Sequence, residues 1–143
     1  MTVREMTLED LEQIMKIEEE NFSVPWTENG FFSFLIRQDT LFLAAEENGE
    51  IAGYCGLVMV PDEGDITNVS VDRDKRRRGI GTLLLRELIR RAGEAGVEKL
   101  YLEVRESNQA AIALYESLGF KRDGIRRDYY EEPKENAVLM SRK

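Results

Sequence analysis

Apolar residues recur along this chain with two different periods, and the changes of period mark its elements. Leu11, Ile14, Met15 and Phe22 fall on one side of a helical wheel, and Thr7 followed by Asp10 has the form of a capping box. This predicts a helix from Thr7 to about Phe22, after a short strand over residues 2–6. Ser23-Val24-Pro25-Trp26 interrupts the pattern, and Thr27 can cap a second helix through Phe31, Phe34 and Leu35. Strand-like runs follow at Thr40–Glu46 and Ile51–Val60, with the hairpin signal Asn48-Gly49 between them. A loop at Pro61-Asp62-Glu63-Gly64 leads to a strand over Asp65–Val71 and then to an arginine-rich loop at 73–78. The helical period returns from Gly79 to Ala95, with Leu84, Leu88 and Ala92 at four-residue spacing, Leu85 and Ile89 beside them, and Gly96 as a C-cap. Lys99–Val104 reads as a strand and Asn108–Leu118 as a helix closed by Gly119. Strands over about 121–130 and 135–141 finish the chain. Four helices and seven strands in the order β-α-α-β-β-β-α-β-α-β-β predict a single α/β domain over residues 1–143. Its sheet should be mixed, with parallel pairing where a helix crosses between strands.

Composition narrows the chemistry. A chain of 143 residues with 42% hydrophobic residues can bury one sizeable core. No apolar run approaches the length of a membrane span, and the first residues lack an apolar signal core. A soluble cytoplasmic protein is expected, with no membrane partner. The net charge of −8 argues against nucleic acid as the main partner, because phosphate neutralisation needs a basic excess. Histidine is absent and Cys55 is the one cysteine. Ser-His-Asp and Cys-His catalysis, histidine metal sites and cysteine zinc clusters are thereby excluded, so no metal is expected. Acid–base chemistry falls to Glu, Asp, Tyr, Lys or Cys. Cys55 lies mid-strand with no activating histidine and reads as a buried structural thiol.

The segment Arg76-Arg77-Arg78-Gly79-Ile80-Gly81 joins a strand to a helix. The first turn of a helix has amides with no intrahelical partner, and its dipole favours an anion. Gly79 and Gly81 let a phosphate approach the backbone, and three arginines add charge beside it. A phosphate or diphosphate fits there, although the same spacing also suits an ordinary loop with solvated arginines. The segment is neither a dinucleotide fingerprint nor a Walker loop.

Arg76-x-x-Gly79-x-Gly81 resembles the Q/R-x-x-G-x-G/A acyl-CoA signature of the GNAT (Gcn5-related) N-acetyltransferase superfamily, and Asn68–Asp72 resembles that family's central strand. Asn108-x-x-Ala111-x-x-Leu114-Tyr115-x-x-Leu118-Gly119-Phe120 resembles a second motif of the family. The resemblance spans essentially the whole chain. It implies a GNAT fold, a largely antiparallel seven-stranded sheet with a V-shaped split between central strands. It also implies acetyl-CoA as co-substrate. Backbone at Val69, Ser70 and Val71 would face its thioester and arm, and residues 76–82, including Thr82, would hold its diphosphate.

Two residues suit acetyl transfer to an amine. Glu103 stands near the C-terminal end of Lys99–Val104, where sites collect in open parallel sheets, and by alternation it shares a face with Tyr101. A rim glutamate paired with Arg105 is the plain alternative. Tyr115 lies in an Ala- and Leu-rich helix, where a half-buried core tyrosine is equally at home. Leu102–Arg105 and Ser107–Phe120 are similar to RimI-type members of the family, which acetylate the N-terminal alanine of a ribosomal protein. That similarity implies Glu103 as general base, Tyr115 as general acid and Asn108 as a contact to the CoA arm. Pro25-Trp26-Thr27-Glu28 and Ile125-Arg126-Arg127-Asp128-Tyr129-Tyr130 resemble further segments of that group, which implies that Trp26, Tyr129 and Tyr130 border the acceptor. A monomer acting on a protein N-terminus is expected. A GNAT enzyme for small amines or lysines, a non-catalytic acyl-CoA-binding module, and a nucleotide-binding protein using the Gly79–Gly81 loop stay open at this level.

Overall fold

A computed structural model describes residues 1–143. Its strands are β1 (Thr2–Glu5), β2 (Thr40–Glu47), β3 (Glu50–Val60), β4 (Glu63–Val71), β5 (Lys99–Arg105), β6 (Lys121–Glu131) and β7 (Lys134–Arg142). Its helices are α1 (Leu11–Asn21), α2 (Glu28–Leu35), α3 (Ile80–Glu94) and α4 (Gln109–Ser117). The strands form one sheet in the order β1-β2-β3-β4-β5-β7-β6, antiparallel throughout except between β4 and β5. This is the mixed, mostly antiparallel sheet expected.

The β4–β5 pairing is short. Glu63–Asp65 run beside Lys99–Tyr101, and no ladder joins the rest of the two strands, although β4 continues to Val71 and β5 to Arg105. The sheet therefore splits beyond Asp65 and Tyr101, and backbone groups on both sides of the split are free of the ladder. On the far side, β5 is held by β7 along Leu100–Arg105. A second irregularity lies in β4. Gly56 of β3 faces Asn68 while Leu57 faces Ile66, so Thr67 bulges from the ladder.

Each face of the sheet carries its own core. Leu84, Leu85, Leu88 and Ala92 of α3 pack with Cys55, Leu57, Leu100, Leu102, Val104, Ile112 and Met140. On the other face, Leu11, Ile14 and Ile17 of α1 and Phe31 of α2 cover Phe42, Ala44, Ile51 and Tyr54. β3 is sandwiched between the two, which explains its nearly unbroken apolar run. Cys55 is fully buried, its thiol within 3.9 Å of the Leu84 carbonyl and its pKa pushed up by burial, as a structural thiol should be.

The elements depart from expectation in two places that matter. α1 ends at Asn21, and Phe22 is extended (φ −125°, ψ 137°), so its ring leaves the buried stripe and stands exposed. β4 begins at Glu63, because Pro61-Asp62 alone completes the turn from β3. No helix is long and apolar enough to cross a membrane.

Candidate active site

Two grooves open from the split, one on each side of Tyr115. The first, about 580 Å³, runs from the end of β4 along the start of α3. Arg77 (φ 67°) and Gly79 (φ 75°) both take left-handed backbone, which turns the chain sharply into the helix. The first bond of α3 runs from the Leu83 amide to the Gly79 carbonyl at 3.0 Å, so the amides of residues 80–82 have no helical carbonyl before them. A Cβ on Gly79 would meet nothing within 4 Å, so this corner is open. A Cβ on Gly81 would come 3.3 Å from Leu114, so glycine there allows α3 and α4 to approach. Free amides, a helix dipole and space fit a diphosphate. Val69, Ser70, Val71, Arg76, Arg77, Gly79, Ile80, Gly81, Thr82 and Asn108 all line the groove. Arg78 does not: it is exposed and turns toward Glu47, 3.8 Å away.

Asn21 was not anticipated. It sits at the end of α1 and lines both grooves. Its amide nitrogen donates to Ser70 Oγ (2.5 Å) and to the Val71 carbonyl (3.0 Å), and its oxygen accepts from Arg76 at 3.0 Å. It ties the end of β4 and Arg76 to α1. An asparagine that closes a charged helix carries no sequence signal for such a role.

The second groove, about 680 Å³, lies on the other side of Tyr115, between the α1–α2 connection and the β6–β7 hairpin. Glu103, Tyr115, Asn108, Tyr129 and Tyr130 line it together. Glu103 is half-buried, and its carboxyl is pushed above the usual glutamate range by burial first and by nearby Asp65 second, against the pull of Arg126. It makes no ion pair with Arg105. That arginine instead donates to the Pro133 carbonyl (2.8 Å), the Glu132 carbonyl (2.9 Å) and Glu135 (3.2 Å), and lies 4.3 Å over the Tyr130 ring. Tyr115 is only 8% exposed, and burial holds its phenol well above the ordinary tyrosine range. The Tyr130 phenol is pushed up to about 12, chiefly by burial.

The two tyrosines owe their placement to an irregular edge. Between Arg126 and Tyr130, β6 has more residues than the stretch of β7 from Ala137 to Glu135 that it faces. Asp128 (φ 52°) takes the bend and donates its amide to Asn136 at 3.0 Å. The bulge brings Tyr129 and Tyr130 edge to face, 5.0 Å apart. Opposite them, Ser23 Oγ donates to the Glu132 carbonyl and links the two walls of the groove.

Trp26 lines neither groove. Its ring stacks on Phe34 at 4.9 Å and tilts against Phe31 and Phe42, and its amide donates to Glu18 at 2.9 Å. A large apolar ring gains more in that aromatic cluster than at an open rim. Glu18 itself is 2% exposed and also accepts from Tyr54. The Pro-Trp segment is thus anchored to the core.

A split mixed sheet, an open helix start beside the split, and a carboxylate and a phenol at the meeting of two grooves define an acetyl-CoA-dependent N-acetyltransferase. The profile of the acetyltransferase (GNAT) family matches residues 11–120, and the chain belongs to that family. It is 40% identical to the [ribosomal protein bS18]-alanine N-acetyltransferase of Escherichia coli K12, over 98% of this chain and 95% of that protein. It is 36% identical to the N-alpha-acetyltransferase RimI of Mycobacterium tuberculosis, over 99% of this chain and 92% of that one. The crystal structure of the Escherichia coli ribosomal-protein-S18-alanine N-acetyltransferase superposes with a TM-score of 0.91 at 39% identity, covering 99% of this chain and 92% of that chain.

Proposed function

We propose that this protein moves the acetyl group of acetyl-CoA onto the N-terminal α-amine of a protein, namely the alanine that begins ribosomal protein bS18. One observation carries this reading: the groove along α3 and the cleft beyond Glu103 share Tyr115, Asn108, Val69, Asn21 and Phe22 as common walls. Two substrates bound one in each would have their reactive ends at that junction, the arrangement a ternary complex needs. The relatives that act on bS18 cover nearly the whole chain, which supports the choice of acceptor. A monomer working in the cytoplasm completes the reading.

The amides of residues 80–82 and Arg76–Arg77 hold the diphosphate of acetyl-CoA. Asn108 and the free edge of β4 at Val69–Val71 flank its arm, and an amide near Val71 polarises the acetyl carbonyl. Glu103 takes a proton from the acceptor ammonium, directly or through one water, and its raised pKa makes it a better base than an exposed glutamate. The amine nitrogen then forms a bond to the acetyl carbon as the carbon–sulfur bond breaks. Tyr115, whose buried phenol stays protonated, gives its proton to the departing sulfur, and the second proton shed by the acylated nitrogen restores the phenol, directly or through water. Tyr129 and Tyr130, steadied by Arg105, shape the cleft around the first acceptor residues. Trp26 acts through its packing alone.

A panel of peptides with different first residues, assayed for CoA-thiol release and for mass gain at the N-terminus, tests the proposal. The expected result is acetylation of the alanine-started bS18 peptide and none of the same peptide with a blocked amine. Activity confined to small amines or to lysine side chains overturns it.

A further inference from the structure

β4 carries two polar side chains where the split begins. Thr67 is the bulged residue, and Asn68 follows it. Asn68 is 8% exposed. Its Oδ1 and the Oγ1 of Thr67 are both shut off from solvent, and neither finds a donor in the protein. Buried oxygens of this kind are normally paired, so two in adjacent residues call for a ligand that brings hydrogens. Both residues line the acceptor cleft, and so does Glu103 across the split. Neither lines the groove along α3.

We propose that Thr67 and Asn68 form a subsite for a primary amine, their side chains turning outward into the cleft so that each oxygen accepts one N–H of the acceptor nitrogen while the third N–H turns toward Glu103. This rests on the reading of the cleft as the acceptor side. An ammonium has three donors and no acceptor, which matches two bare oxygens and a carboxylate. The neutrality of the two oxygens matters. A second carboxylate beside the nitrogen would favour its charged form and oppose loss of the proton, whereas an amide and a hydroxyl fix its direction with little hold on its charge. The bulge is what brings both side chains to one place, since regular alternation would send neighbours to opposite faces.

Steady-state kinetics with an alanine-started peptide and its N-methylalanine twin test the subsite in the wild-type protein and in Thr67→Val and Asn68→Ala. The twin lacks one N–H. The wild type should prefer the primary amine strongly. Each variant should raise peptide KM at least about 10-fold, leave acetyl-CoA KM in place and weaken the preference for the primary amine. Asn68→Asp, which adds a charge, should move the acidic limb of the kcat profile to higher pH. Unchanged peptide KM and unchanged preference in both neutral variants overturn the subsite. So does a loss of acetyl-CoA binding and melting temperature in step with peptide KM, which marks residues that only pack. Should Asn68→Ala fail to fold, Thr67→Val decides alone. If the wild type ignores peptides but acetylates a small primary amine, and the variants raise KM for that amine, the subsite stands while the peptide reading falls.

Discussion

The groove along α3 leaves free polar groups mainly on the backbone, whereas the cleft beyond Glu103 presents them on side chains. In the groove, the parts left open to a ligand are amides at 80–82, the bare corner at Gly79 and the unpaired edge of β4. They come from one continuous stretch, Val69–Thr82, and two glycines and a helix start suffice to specify it. The cleft is assembled from α1, the connection after it, the β4 bulge, the end of β5, α4 and the β6–β7 hairpin. Its shape depends on cross-chain contacts such as Ser23 to Glu132 and Arg105 to Pro133. A site whose polar groups are backbone tolerates most side-chain changes but fails when the backbone cannot follow its path. A site whose polar groups are side chains is adjustable residue by residue, which suits the part that chooses an acceptor.

The junction of the two regions should give the largest effects. Tyr115→Phe should slow turnover by at least about 10-fold, and Glu103→Gln by about 100-fold, within the usual span for general acids and bases. Acetyl-CoA affinity, measured by titration calorimetry, should stay near the wild-type value in both, because neither change touches the helix start. The Gln variant should be worst at low pH, where the free amine is scarce. Wild-type rates in both variants would remove the assignment.

A paired experiment separates the two regions themselves. Gly79→Val places a β-branched residue at φ 75° and fills the open corner, a conformation costing about 1–3 kcal/mol for such a side chain. Acetyl-CoA KM should rise about 10-fold or more, with peptide KM little changed. Arg105→Ala cuts the hairpin anchor and the support under Tyr130. Peptide KM should rise a few-fold, on the order of 1 kcal/mol for lost bonds at an exposed wall, and acetyl-CoA KM should hold. If each variant moves both constants equally, the division into a region of backbone groups and a region of side-chain groups is wrong.

How much of this the sequence discloses follows from the same contrast. The α3 groove is legible because its determinants are adjacent in the chain: glycines, arginines and the apolar period of Leu84, Leu85 and Leu88. Glu103 and Tyr115 are legible because regular elements fix their direction. The family resemblance implies a bulge in the strand of Asn68–Asp72, but its place at Thr67 has no local signal, and with it the bare oxygens of Thr67 and Asn68 are hidden. Asn21 is equally hidden, because its three partners lie about fifty residues away in β4 and the loop after it. Trp26 shows the opposite error. A tryptophan beside a proline draws the eye as a recognition residue, yet the aromatic cluster of Phe31, Phe34 and Phe42 provides a better place for it.

The smallest effect is also the most specific to the electrostatics of the cleft. Asp65 pushes the Glu103 carboxyl up, and Arg126 pulls it down. Glu103 must be ionised to accept a proton, so kcat at saturating substrates should fall as pH drops through its pKa. Asp65→Asn removes a negative charge, lowers that pKa and should move the acidic limb to lower pH. Arg126→Gln removes a positive charge, raises the pKa and should move the limb to higher pH. Each shift should be less than about one pH unit, because both charges act across solvated space. Opposite shifts that disappear in Glu103→Gln would tie the limb to Glu103. Opposite shifts that persist in that variant would assign the limb to the acceptor amine, whose pKa the two charges move in the same senses.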